Sequence, residues 1–285
     1  MTESYNEEIT TIDNHLMDTI AIIHHLQEHL DYSLKQYNNP DWFGIFLVGS
    51  QNYGLADEQS DIDSKLLVLP KWEDICKNKT PVSHTIEFPD GSCCDVKDLR
   101  EYFKVFRKQN INFVEILFTD YFIINPKYDF IWLQLKEHAE ELAHMNRFRT
   151  VKCVQGTAHV KARKLKDFST FNEKDYSTIL RLYYFLLEYV RGTPYKKCIY
   201  LEPGIRKRIL KKKRTKIHKD DWCNVCTDVD LWLACIDNIA VSYESVYPST
   251  TTPTMERKPN EFLDAIIYMI MTKSTKEQLN KIQSF

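Results

Sequence analysis

The sequence predicts an α+β fold, with a small mixed or antiparallel sheet flanked by helices over residues 1–125 and a mostly α-helical part over residues 126–285. Three observations lead there. Two short apolar runs bounded by turn residues, Ile45–Val48 and Leu66–Leu69, read as buried strands. From Asp129 onward apolar residues recur at helical spacing almost throughout. Glycine is scarce, seven residues in 285, which argues against a loop-rich or all-β chain.

Taken in order, the first element is a helix from about Glu7 to Gln36. Ile9, Ile12, Leu16, Ile20, Ile23, Leu26, Leu30 and Leu34 mark one apolar face, and Thr10 or Thr11 is placed to cap the start. Asn38-Asn39-Pro40 ends it, and the Ile45–Val48 strand closes on Gly49-Ser50. A polar loop leads to Ser60-Asp61-Ile62-Asp63 and the second strand. Ser83–Phe88 and Ser92–Val96 flank Pro89-Asp90-Gly91 and read as a hairpin, because Asp-Gly adopts the tight turn. Asp98–Gln109 reads as an amphipathic helix bearing Leu99, Tyr102, Phe103 and Phe106, and Asn112–Phe118 as a short one. Asn125-Pro126 breaks the chain. Helices are then expected over Phe130–Leu142, Phe148–Lys166, Tyr176–Val190, Pro203–Lys213, Val229–Tyr243 and Glu261–Ile282, with Tyr247–Pro259 as an exposed Pro/Ser/Thr-rich loop.

The apolar fraction of 43% and charged fraction of 27% are those of a globular protein with a core. A net charge of -2 supplies no global basic field, so any nucleic-acid contact needs a local patch. No apolar run is long enough to span a membrane, and the acidic, polar N-terminus is unlike a signal or transit peptide, so a cytoplasmic location is expected. Eight cysteines spread over a chain of this length read mostly as small core residues rather than a disulfide framework.

The chemistry concentrates in Gly44–Leu69. Along a strand alternate side chains share a face, so Asp61 and Asp63 are expected to point the same way. Two such carboxylates repel each other unless a cation lies between them. Mg²⁺ suits hard oxygen ligands, and a phosphate can complete its shell. Asp95, on the second strand of the hairpin, can join them if that strand lies alongside. Three carboxylates would then hold two Mg²⁺ ions about 3.5–4 Å apart. Gly49 permits close approach of a phosphate to the backbone, and Ser50 adds a hydroxyl donor at an expected helix start. Lys65 shares the face of Asp63 and reads either as a phosphate contact or as a counter-charge.

The order strand, Gly49-Ser50, Asp61-x-Asp63, then a later strand with Asp95 resembles the nucleotidyltransferases of the DNA polymerase β superfamily. The run GSQNYGLADEQSDID, with DLREYFKVFRKQNINFVEILF after it, is similar to that superfamily's predicted RNA-repair-associated branch. The resemblance covers about Gly44–Thr119 and extends loosely to Tyr176–Arg191, with Arg181 and Arg191. It implies a catalytic domain over 1–125 and a helical domain over 126–285. It also implies Mg²⁺-dependent transfer of a nucleoside monophosphate from an NTP to a hydroxyl acceptor, with release of pyrophosphate. Asp61, Asp63 and Asp95 would be the catalytic, metal-binding carboxylates, and Gly49, Ser50 and Lys65 the nucleotide contacts. The acceptor stays open between an RNA end such as tRNA, a small molecule and a protein hydroxyl. A non-catalytic nucleotide-binding or regulatory protein on the same fold is the alternative.

Three further signals have two readings each. The basic run 206–216 reads as a solvated helix end or as a nucleic-acid-binding module. Arg147–Lys164 reads as a solvent face or, through Lys161 and Lys164, as a triphosphate grip. His218, Cys223, Cys226 and Cys235 read as helical core cysteines rather than a zinc site, because a second Cys pair at regular spacing is missing.

Overall fold

The computed structural model describes residues 2–57, 60–165, 168–246 and 253–283. Five strands, β1 (Trp42–Val48), β2 (Asp63–Val68), β3 (Ser83–Glu87), β4 (Cys93–Asp98) and β5 (Phe122–Ile124), form one sheet in the order β3-β4-β2-β1-β5. β2 and β4 are parallel and the other neighbours antiparallel, so the sheet is mixed and the fold is α+β. The expected hairpin is β3–β4, with Gly91 at φ +90° in its turn.

The first helix, α1, spans Thr2–Gln36, so Thr10 and Thr11 lie inside it and do not cap it. Next come α2 (Trp72–Cys76), in a segment that looks merely polar in sequence, α3 (Leu99–Phe106) and α4 (Ile111–Val114). Asp98 caps α3, its Oδ1 accepting the Arg100 N–H at 2.8 Å. The helical part comprises α5 (Asp129–Glu137), α6 (Ala139–Ala143), α7 (Arg147–Lys164), α8 (Glu173–Val190), α9 (Tyr195–Ile199), α10 (Pro203–Arg214), α11 (Trp222–Val246) and α12 (Pro253–Gln283). The expected Phe130–Leu142 helix is broken at His138. The expected loop Tyr247–Pro259 is corrected from Pro253 onward. That stretch opens α12 with a proline at its first position, where no helical N–H is needed, and Pro259 lies within the helix. Residues 247–252 lie outside the described ones.

The sheet separates two apolar clusters. On one side Ile45, Leu47, Leu66, Val68, Cys94 and Val96 pack with Leu26 and Leu30 of α1. On the other, Phe46 and Leu67 join a core that runs through α3, α5, α7 and α8 to Leu263, Ile266 and Ile270 of α12. Side chains alternate along β2, so Asp63 and Lys65 lie on the face of Leu67, toward the helical part. All eight cysteines are free thiols, but only Cys94 and Cys198 are buried, which corrects the expectation that most are core residues. Cys223, Cys226 and Cys235 all lie on α11. Among the described residues no helix is long and apolar enough to cross a membrane.

Candidate functional site

At the end of β1 the chain turns sharply at Gly49, whose φ is +77°. A Cβ at that position would lie 3.3 Å from Asp63 Oδ2. Glycine therefore serves twice: it takes the left-handed backbone at low cost and leaves the Asp63 carboxylate room against the turn. The expected helix start after Ser50 is instead a run of turns. The Ser50 carbonyl accepts the Leu55 N–H at 2.9 Å and the Tyr53 N–H at 3.3 Å, which folds residues 50–55 into a tight loop. Donors for an anion must therefore come from this loop and from the helices facing it, not from a helix beginning at Ser50.

Asp63 is the first residue of β2, opposite Val48 of β1. Asp61 precedes the strand, a correction to its expected strand placement: β1 ends opposite Asp63 and leaves no partner for earlier residues. Both carboxylates stand against the hairpin. A Cβ on Gly91 would lie 3.4 Å from Asp61 Oδ1, and Asp63 Oδ1 accepts the Cys93 thiol at 3.1 Å and its backbone N–H at 3.3 Å. Burial, reinforced by the neighbouring Asp63, pushes the Cys93 thiol up to about 12, so it remains a proton donor. Among the described residues neither Asp61 nor Asp63 has an ion-pair partner.

Asp95 is placed differently. The parallel register sets Ser64 beside Cys94 and Lys65 beside Asp95, so the residue flanking Asp63 is Cys93. Asp95 Oδ2 accepts the Lys65 ammonium at 2.6 Å, and its Oδ1 pairs with Lys97 at 2.9 Å. Lys65 is enclosed and also lies 4.3 Å above the Phe113 ring. Of the two roles open to Lys65, the structure displays the counter-charge. Among the described residues no three His, Cys, Asp or Glu side chains converge on a metal position. The donor set thus divides. Asp61 and Asp63 are hard oxygen donors without an ion-pair partner among the described residues, whereas both oxygens of Asp95 are taken by ammonium groups.

Gly49, Ser50 and Asp63 form one wall of a pocket of about 110 Å³. Tyr53 and Leu55 of the loop line it further, facing Lys174, Ser177, Thr178 and Arg181 of α8 and Ile209 and Lys213 of α10. Lys174 and Lys213 also line a wider cleft of about 550 Å³ with Asp57, Arg214 and Lys216, so the two spaces adjoin. Asn172 caps α8, accepting the Lys174 N–H at 2.7 Å, and residues 174, 177, 178 and 181 share one helical face. Ile209 and Lys213 are likewise four apart: the buried Ile209 anchors α10 while Lys213 reaches the loop. Lys213 donates to Ser60 Oγ at 2.7 Å and to the Leu55 carbonyl at 3.2 Å, and pairs with Asp57 at 3.2 Å. The basic run therefore forms part of the pocket wall. Lys161, on α7, pairs with Asp175 at 2.6 Å.

The structure thus brings Gly49, Ser50 and Asp63 together, keeps Asp61 at the same end of the sheet, and engages Asp95 and Lys65 with each other. Sequence reasoning missed Tyr53, Lys174, Ser177 and Thr178. The 174, 177/178, 181 spacing was the available signal.

No protein-family model matches the sequence, and no curated protein matches it. Among solved structures the chain is similar to the crystal structure of a nucleotidyltransferase-like protein from Exiguobacterium sibiricum 255-15. The two are 10% identical with a TM-score of 0.31, over 75% of this chain and 74% of that one. A likeness of that extent decides neither activity nor ligand, which rest on this chain's own residues.

Proposed function

We propose that this chain is a nucleotidyltransferase that moves a nucleoside monophosphate from an NTP to a hydroxyl acceptor. The observation that supports this best is the pocket uniting Gly49, Ser50 and Asp63 with Lys174, Arg181 and Lys213. Carboxylate on one wall and cations on the other suit a triphosphate whose charge must be offset on both sides. In the reaction the acceptor hydroxyl gives up its proton to solvent as its oxygen bonds to the α-phosphorus, the bond to the bridging oxygen breaks, and pyrophosphate leaves with that electron pair. The Gly49 turn lets the phosphates approach the backbone, and the Ser50 hydroxyl donates to them. The cations of α8 and α10 offset the charge growing on the leaving pyrophosphate.

Asp61 and Asp63 would hold Mg²⁺, which would supply charge neutralisation at the phosphates and activation of the acceptor hydroxyl. The second ion of the expected pair, and any proton-accepting role for Asp95, requires the Lys97 contact with Asp95 to open. RNA ends, small molecules and protein hydroxyls all remain candidate acceptors.

Labelled NTPs incubated with Mg²⁺ and either tRNA or cell extract test the reading. Label is expected in one acceptor class and is lost in Asp61→Ala and Asp63→Ala. Unchanged labelling in both variants removes the carboxylate assignment. A nucleotide-induced rise in melting temperature without any transfer favours the binding-only alternative.

A further inference from the structure

We propose that His29 is a positioning residue: from behind the sheet it locks the β3–β4 hairpin to the start of β2, and so fixes the frame in which Asp61 and Asp63 stand. The meaning of that frame for a cation rests on the transfer reading, whereas the lock itself does not. His29 lies on α1 and is 2% exposed. Its Nδ1 lies 2.8 Å from Ser64 Oγ and its Nε2 3.0 Å from Ser92 Oγ, and both serines are buried. Ser64 follows Asp63 and Ser92 precedes Cys93, so each serine adjoins a site residue while pointing to the α1 side. The lock sits where the backbone ladder ends. Parallel pairing of β2 with β4 starts at Ser64 beside Cys94, and Asp63 and Cys93 lie just beyond it. There Cys93 is joined to Asp63 through the carboxylate, by its thiol at 3.1 Å and its N–H at 3.3 Å.

The hydrogen bonds of the lock run in one direction. Ser92 Oγ donates to Asp90 Oδ1 at 2.6 Å, and bonds from Ser92 hold the Asp90 carboxyl below its ordinary value, so that it stays an acceptor. With its one proton so placed, Ser92 Oγ accepts from His29 Nε2–H. Burial keeps the ring neutral, so Nδ1 is left to accept from the Ser64 hydroxyl. The ring also stacks on Phe88, 4.0 Å between centroids, and the Phe88 N–H bonds to the Ser92 carbonyl at 2.9 Å, closing the turn. The turn held in this way carries Gly91, which stands against Asp61, and leads into Cys93, which bonds to Asp63. A packing role alone needs only volume. A rigid ring with a donor at one end and an acceptor at the other joins two strands at a set spacing, which an apolar side chain of the same size cannot do.

Alkylation of Cys93 in the folded full chain, followed by peptide mapping, tests the lock. In the wild-type chain Asp63 holds the thiol, which should react slowly. His29→Leu fills the space without the two bonds and should speed Cys93 alkylation about tenfold, while the buried Cys94 and Cys198 stay protected. His29→Gln, which can still donate to Ser92, should lie between. Ser92→Ala should match His29→Leu, and the two combined should be no faster than either, because they break one link. Equal Cys93 rates in the wild-type chain and a folded His29→Leu overturn the proposal. So does a parallel rise at Cys94 and Cys198, which marks general loosening instead of a local release. If His29→Leu does not fold, Ser92→Ala decides by the same rates. Mn²⁺ binding, read by paramagnetic relaxation, separates the lock from the transfer reading. His29→Leu is expected to bind Mn²⁺ several-fold more weakly than the wild-type chain. No Mn²⁺ binding by the wild-type chain, with the alkylation pattern above, removes the cation reading and keeps the lock. Full Mn²⁺ affinity in His29→Leu removes the positioning role and leaves the cation reading standing.

Discussion

Replacing Asp95 with alanine strands the Lys65 ammonium and leaves that of Lys97 its bond to Ser83 Oγ at 2.7 Å, and the structure sets how much that costs. Lys65 is 5% exposed and donates to Asp95 at 2.6 Å, so its charge cannot turn to solvent. Lys97 is 15% exposed, 2.9 Å from the other oxygen, and lies nearer the surface. Removing one partner of a buried pair costs about 3–5 kcal/mol. The lower end applies because the Phe113 ring, 4.3 Å from the Lys65 ammonium, continues to hold it. Asp95→Ala is therefore expected to lose about 3 kcal/mol. Lys97→Met leaves the Lys65–Asp95 pair intact and should lose about 1 kcal/mol. Lys65→Met combined with Asp95→Ala removes both buried charges and should recover much of the loss. Urea unfolding followed by circular dichroism and extrapolated linearly gives these differences directly. The reasoning fails if Asp95→Ala lies within about 0.5 kcal/mol of wild type, or if the double variant is no more stable than the single one. The result matters for function. An inactive Asp95→Ala is ambiguous between lost chemistry and a loosened sheet, and the double variant separates the two.

Three further outcomes follow from local geometry. Gly49→Ala forces a Cβ into a φ of +77° and to 3.3 Å from Asp63 Oδ2, so it should lose about 1–2 kcal/mol and most of the NTP-induced rise in melting temperature; an unchanged thermal shift contradicts the role given to the turn. His29 is buried between Ser64 Oγ at 2.8 Å and Ser92 Oγ at 3.0 Å, and burial holds its pKa below 6.5. The unfolded chain then takes up the proton first, so stability should be full above pH of about 6.5 and decline as pH falls toward the folded-state value. The decline should shrink in His29→Gln, and an identical pH profile for that variant counts against it. Lys213→Met removes the contacts to Asp57, Ser60 and the Leu55 carbonyl, so limited proteolysis should cut within residues 50–60 several-fold faster; equal cutting rates would show that other contacts hold the loop.

How much of this was legible in the sequence depended on how local the cause was. β1, β2 and the β3–β4 hairpin could be read because apolar runs and an Asp-Gly turn mark them within a few residues. The short β5 could not: Phe122–Ile124 is a strand because it pairs with Gly44–Phe46, a partner some eighty residues earlier in the chain. The start of α12 was missed for the opposite reason. Pro and Thr between 253 and 259 resemble loop composition, yet Leu263, Ile266 and Ile270 bury fully against the core and hold the helix they belong to. In the site, Gly49, Ser50 and Asp63 were readable from order and spacing. The α8 and α10 residues opposite them were not, because only tertiary packing brings positions 174–181 and 209–213 to that loop.

The role of Asp95 turns on one structural variable, the register of a parallel strand pair. The triad reading asks that the strand of Asp95 lie beside that of Asp63, as β4 does beside β2, and the place next to Asp63 itself is set by the register. With Ser64 beside Cys94, that place goes to Cys93, and Asp95 falls beside Lys65. A residue's face is conserved on moving two positions along a strand, so Asp95 keeps the correct side of the sheet while lying about 6–7 Å further along it. Cys93 then orients Asp63 by donating both its thiol and its backbone N–H to one oxygen, leaving Oδ2 toward Gly49. Cys93→Ala keeps the backbone donor and should leave the fold intact, but it removes the thiol that helps fix the carboxylate. If Asp63 is the pocket's cation ligand, this variant should weaken Mn²⁺ binding, measured by paramagnetic relaxation, several-fold without a matching change in urea stability. If Mn²⁺ affinity is unchanged while stability falls, Cys93 serves the sheet and not the site.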